Sequence, residues 1–231
     1  MIVFNGVSSD RVRLIVEQYP ARPVPQRKHE RFQVPGRNGD VVVWEDAWDN
    51  VQQDYDIYLS AEDVGLPEVA NRAVQWLMVP GYQRLEDEYD RDSFRMALFV
   101  GPADLANTLN HFGRATISFD CWPQRFLKSG AEPVRIAQGA SLTNPSIYTA
   151  EPLIVVEGAG SGVLTVGASV LTLDDCNGVT LDSREQEAWR GVSNLNTTVH
   201  GDFPKLPAGE TPVSWSGGIT GIMITPRWFY L

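Results

Sequence analysis

From residue 131 to residue 231, turn signals recur about every 8–12 residues around short apolar runs, the spacing of a β-sandwich or barrel. The runs are Leu153–Glu157, Gly162–Val166, Ser169–Leu173, Val179–Leu181, Pro212–Ser216 and Ile219–Thr225. None is long enough for a helix of ordinary length, and Gly, Thr, Ser and Val crowd the intervals. This half therefore reads as nearly all strand. Gly158-Ala159-Gly160-Ser161-Gly162 has the glycine content of a phosphate loop. It lacks a following lysine and opens no helix, so it reads as a hairpin turn between two short strands.

Residues 1–130 are built differently. Lys, Arg, Asp and Glu number 33 of 130 there and 15 of 101 afterwards, which sets an expected boundary near Lys128-Ser129-Gly130-Ala131. Strands are expected at Ile2–Phe4 and at Arg31–Val34, which turns through Pro35-Gly36-Arg37-Asn38-Gly39-Asp40 into Val41–Trp44. Further strands are expected at Asp54–Leu59, Ser93–Val100 and Ala115–Cys121. The one clear helix is Pro67–Met78. Val69, Ala70, Ala73, Val74 and Leu77 form its apolar stripe, Pro67 suits its first turn and Pro80-Gly81 ends it.

Charge and motifs exclude several classes of function. The net charge is −10, from 19 basic and 29 acidic residues. Nucleic-acid binders and proteins held on anionic membranes draw their affinity from Lys and Arg, so neither is expected. No run approaches the ~20 apolar residues of a membrane span, and Met1–Leu14 lacks the apolar core of a signal peptide, so folding in the cytoplasm of synthesis is expected. Cys121 and Cys176 have no metal spacing and read as buried free thiols. His29, His111 and His200 lie far apart, and no nucleophile elbow, Walker loop or dinucleotide fingerprint occurs. No catalytic residue, metal or cofactor is expected.

Two carboxylate groups and the tryptophans carry competing readings. Glu86, Asp87, Glu88, Asp90 and Asp92 could ligate calcium. They lack the central glycine and distal glutamate of an EF-hand, and Arg84, Arg91 and Arg95 can neutralise them, so a solvated loop is preferred. Asp174, Asp175, Asp182, Glu185 and Glu187 could serve a glycan-cleaving enzyme, although an acidic chain holds such pairs by chance. Trp44, Trp48, Trp76, Trp122, Trp189, Trp215 and Trp228 suit core or interface anchors better than a sugar platform.

Several segments in order resemble one family. They begin with Arg114–Pro123, read as a strand closing in F-x-C-x-P. Next come Thr143-Asn144-Pro145 and then Glu151–Gly158. Val179–Ala188 follows, then His200-Gly201-Asp202-Phe203-Pro204-Lys205-Leu206-Pro207-Ala208-Gly209, and last Ile222–Thr225 with Pro226-Arg227-Trp228. In order and spacing these resemble the siphophage distal tail proteins, often called Dit, which are hubs of the tail tip or baseplate. Residues 1–110 carry only a general likeness.

The resemblance implies a mainly β fold. An N-terminal split β-barrel ring domain, residues 1–130, has one flanking helix, and a galectin-like, carbohydrate-binding-module-like sandwich follows over 131–231. It implies a homohexameric ring in the virion, at the tail tip, assembled in the host cytoplasm. Tail tube protein, the tape-measure end and tail-tip hub proteins are the implied partners, and DNA passes through the ring. The chain has no room for the long inserted arm of some members. Gly201, Asp202, Phe203, Pro204, Pro207, Gly209, Pro226, Arg227 and Trp228 are expected to be structural. The acidic run at 86–92 becomes a candidate lumen lining. The other functional readings are a carbohydrate-binding module that docks to host glycans and, third, the glycan-cleaving enzyme.

Overall fold

The computed structural model describes residues 1–60, 65–102, 109 and 113–231; His111 lies outside them. The chain forms two compact units, Met1–Arg125 together with Leu231, and Phe126–Tyr230.

The strands of the first unit are β1 (Ile2–Phe4), β2 (Val7–Ser8), β3 (Leu14–Val16), β4 (Arg27–Phe32), β5 (Val41–Trp48), β6 (Val51–Leu59), β7 (Gln83–Asp87), β8 (Ser93–Gly101) and β9 (Arg114–Cys121). Seven of them make a half-barrel sheet in the order β2-β1-β7-β8-β9-β6-β3. Period-two patterning explains β6. Val51, Gln53, Tyr55, Ile57 and Leu59 alternate inward and meet Ile117, Phe119 and Cys121 of β9 in one core. Helix α1 (Leu66–Leu77) has Gly65 at its N-cap and Pro67 in its first turn. It buries Val69, Ala70, Ala73, Trp76 and Leu77 on that core. Val74 is half-buried against the same core, and Trp76 joins the expected stripe: its ring meets Phe4 edge-on, and its Nε1 donates to the Phe4 carbonyl at 3.2 Å.

β10 (Arg125–Leu127) begins on the last residue of the first unit, and the second unit holds β11 (Val134–Ile136), β12 (Ser141–Asn144), β13 (Leu153–Val166), β14 (Ser169–Leu173), β15 (Val179–Asp182), β16 (Glu187–Arg190), β17 (Ser193–Asn194), β18 (Val199–His200), β19 (Gly209–Thr225) and β20 (Phe229–Tyr230). The antiparallel strands β13 and β19 form its spine. The first half of β13 pairs with β15, and its second half pairs with β14. Likewise β11 pairs with the end of β19 and β12 with its start. Each long strand therefore passes from one layer of a sandwich to the other, as corner strands do. Ile154, Val156, Ile222 and Ile224 from one layer face Leu164, Val166, Leu171 and Val213 from the other.

Here the structure corrects the sequence reading. Gly158–Gly162 is no hairpin turn, and Pro212–Ser216 and Ile219–Thr225 are not separate strands. The glycines form bulges inside two continuous strands, with register shifts at Glu157/Gly158 and between Gly158 and Gly162. Missing side chains make this possible. A Cβ on Gly218 would lie 1.8 Å from the Ala159 carbonyl oxygen, and one on Gly158 would lie 2.3 Å from that of Gly218. The backbones approach more closely there than any other residue permits.

Candidate assembly surface

Among the described residues, strands β4 and β5 pair only with each other, as a hairpin separate from the main sheet. The register is Phe32↔Val41, Arg31↔Val42, Glu30↔Val43 and His29↔Trp44, with a shift before Arg27↔Trp48. The expected turn at 35–40 is present, but the first strand ends at Phe32 rather than Val34. β5 opens with four apolar residues in a row instead of an alternation, so both of its faces are apolar. Without a layer to cover it, the hairpin leaves Phe32, Val34, Val42, Val43 and Trp44 exposed, Trp44 at 57% and Val43 at 51%. Isolated two-stranded ribbons are marginal in water, and clustered exposed apolar side chains mark interaction sites. Sequence reading found the hairpin but placed Trp44 among the anchors. The available signal was the unbroken run Val41-Val42-Val43-Trp44.

Charge distinguishes the hairpin as well. Over residues 27–48, Arg27, Lys28, Arg31 and Arg37 are balanced by Glu30, Asp40, Glu45 and Asp46, so the hairpin is formally neutral in a chain of −10. Arg27 reaches back across the hairpin to the Glu45 carbonyl at 2.9 Å and to the Asp46 carboxylate at 2.5 Å.

The residues singled out around 201–209 and 226–228 lie in the sandwich and are packed. Gly201 has φ +116, and a Cβ there would meet the Val170 carbonyl at 2.2 Å. Phe203 packs on the core, Pro204 is buried, and Leu206 and Ala150 exchange backbone hydrogen bonds of 2.9 Å. Asp202, Pro207 and Gly209 are exposed, and Gly209 has φ +82. After Pro226, Arg227 takes a left-handed φ of 62 and grips Asp182 with two bonds of 2.7 and 2.9 Å. Trp228, 5% exposed, covers Gly130, where a Cβ would lie 2.6 Å from the Trp228 nitrogen. One corner links the two segments. Asn144 donates to the Leu206 carbonyl and orients Ser146, whose hydroxyl donates to the Phe229 carbonyl.

The acidic groups have local partners. Glu86 pairs with Arg84 at 2.7 Å, Glu88 with the N-terminal amine and Asp90 with Arg125 at 2.9 Å. Asp87 accepts from the Tyr55 hydroxyl and from the Tyr89 and Asp90 amides, while Asp92 is exposed. Burial, reinforced by the Asp87 charge, raises the Tyr55 hydroxyl well above its ordinary value. Burial works against ionisation of Asp90, but hydrogen bonds from Ser93 and Arg125 outweigh it and hold the carboxyl low. In the sandwich, Asp174 meets His200 at 3.3 Å, Asp175 meets Arg190 at 2.7 Å, and Asp182 is held by Arg227. These carboxylates are held by separate partners, Asp175 and Asp182 in ion pairs with arginines and Asp174 beside an imidazole. Among the described residues, no three His, Cys, Asp or Glu side chains group as metal ligands.

The elements together define a class: a mainly β chain in which a half-barrel with a flanking helix precedes a β-sandwich. That is the fold of a solved phage protein. Over 100% of this chain and 98% of that one, the structure is similar to the SPP1 Dit (gp 19.1) protein, with a TM-score of 0.73 at 12% sequence identity. The SPP1 protein is presented as a paradigm of the hub adsorption apparatus in phages that infect Gram-positive bacteria. No family model and no curated protein sequence matches the chain.

Proposed function

We propose that this chain is a structural subunit of a siphophage tail tip. Six copies would close a ring that joins the tail tube to the baseplate and lets DNA pass. The single observation that carries the reading is full-length likeness of fold to the SPP1 hub protein. The hairpin supplies a means of assembly. A ring needs a heterologous contact, one patch meeting a different patch on the next copy. An exposed apolar strip on a ribbon without net charge suits that contact, because a neighbouring copy can cover it without burying an unbalanced charge. Residues 1–130 are the proposed ring domain and 131–231 the outward sandwich. Tail tube, tape-measure end and other tip proteins are the proposed neighbours. No catalytic role is assigned.

The acidic run at 86–92 is proposed to face the lumen, where like charge keeps DNA from adhering. Three of its five carboxylates are met by local cations, which leaves Asp87 and Asp92 as the larger contributors to the field. Electron microscopy of the purified chain tests the ring reading: sixfold annular particles are expected, and uniformly single chains at all concentrations contradict it.

A further inference from the structure

The hairpin is joined to β3 by Pro20-Ala21-Arg22-Pro23-Val24-Pro25, which is neither strand nor helix. Three of these six residues lack an N–H, so the segment cannot extend a ladder, and its prolines restrict both their own φ and the residue before each. Its carbonyls still need donors. Two buried side chains supply them. Gln53 on β6, 5% exposed, donates from Nε2 to the Ala21 carbonyl at 2.9 Å. Arg95 on β8, 8% exposed, donates from Nη2 to the Pro23 carbonyl at 3.3 Å. Its Nη1 lies 3.3 and 3.4 Å from the Trp122 and Pro123 carbonyls.

Other contacts hold the same segment. Pro20 and Pro25 are buried, Tyr19 packs on Tyr89 with ring centres 4.5 Å apart, and Arg22 donates to the Tyr89 carbonyl. The root of the hairpin closes where the Asp49 amide donates to the Gln26 carbonyl at 2.9 Å. A buried guanidinium usually faces a carboxylate. Arg95 instead directs its donors to the carbonyls of two separate segments, one of which leads straight into β4.

We propose that Gln53 and Arg95 are positioning residues for assembly. They hold the proline segment against the sheet and thereby fix the direction in which the β4–β5 hairpin leaves it. The consequence for ring formation rests on the assembly role proposed above; the positioning itself does not. A hairpin released from one direction divides its population among many. The apparent affinity for the next copy then falls in proportion to the fraction still aimed correctly, so a tenth of the population means roughly tenfold weaker assembly.

The test uses the full chain with spin labels at Asp10→Cys and Asn38→Cys, both exposed, diluted into unlabelled protein. Native Cys121 and Cys176 are buried and stay unlabelled. Electron–electron resonance should give one narrow distance distribution in the parent and a broad one after Gln53→Leu with Arg95→Met. The concentration for half-assembly should rise about tenfold in the same variant. A distribution as narrow as the parent's overturns the proposal. If the double variant does not fold, Gln53→Leu alone carries the test, and a narrow distribution there also overturns it. Broadening in the variant without any assembly of the parent would remove the ring reading and leave the positioning intact. Unchanged assembly in a variant with a released hairpin would cut the link between them.

Discussion

Arg227 sits in a backbone conformation that costs a non-glycine residue about 1–2 kcal/mol. The strain is held by the paired bonds to Asp182 and by the Arg227 amide, which donates to the Gly130 carbonyl at 2.8 Å. Both side chains are largely buried, at 20% and 9% exposure. Arg227→Met should therefore destabilise the protein by about 2–3 kcal/mol in urea unfolding, because it leaves Asp182 charged and unpaired. Burial favours the neutral Asp182 carboxyl, yet Arg227 and the Arg184 and Glu185 amides outweigh it and hold its pKa below the ordinary aspartate value. The stabilisation is thus complete above pH ~4, where the unfolded carboxyl ionises, and is lost as pH falls through the lower folded value. Arg227→Met should flatten that acid limb.

The two thiols make a second residue-scale expectation. Burial, only partly offset by Arg95, pushes Cys121 up to about 12, and burial also raises Cys176. Neither should react with a maleimide at neutral pH until the chain unfolds. Fast labelling of the native protein would contradict the burial of these thiols. Buried free thiols were legible from the sequence. Asp182 was not, since it read as one acid among several: its partner lies 45 residues away, and no local pattern connects them.

At the scale of elements, sequence reading went furthest where one period governed a segment. Helix α1 was legible to within a residue at each end because Pro67 and the apolar stripe agree. It failed at Gly158–Gly162, where glycine signals both a turn and a bulge, and only the partner strand decides between them. The glycines of that corner should be intolerant. Gly218→Ala places a Cβ 1.8 Å from a carbonyl oxygen, and Gly162→Ala places one 2.7 Å from both Cys176 Sγ and Ile219 Cγ1. Each should cost about 1–3 kcal/mol or more through overpacking, read as a lower urea midpoint at unchanged slope. Gly160→Ala at the same bulge has open space around it and suffers only from its φ of +70. It should be the mildest of the three.

At the scale of the molecule, the fold class was legible and the proposed assembly surface was not. Strand spacing, one helix and the ordered motifs indicated a mainly β chain, and the match to the SPP1 protein has that fold from end to end. Those motifs, however, turned out to be packing: Arg114–Pro123 belongs to the half-barrel core and the others to the sandwich. The hairpin lies in the part of the chain with least likeness to the family, and exposure is decided by whether another layer covers a strand, which no local pattern records. Its apolar residues contribute little to the stability of a single copy, so replacing them should spare the fold and remove the assembly. The most direct measurement is electron microscopy of the purified chain beside its Val43→Ser, Trp44→Ser variant, with thermal unfolding as a control. The account expects sixfold rings of 25.6 kDa chains in the parent, and single chains of unchanged melting behaviour in the variant. Rings that persist in a folded variant, or a parent that never forms them, would contradict it.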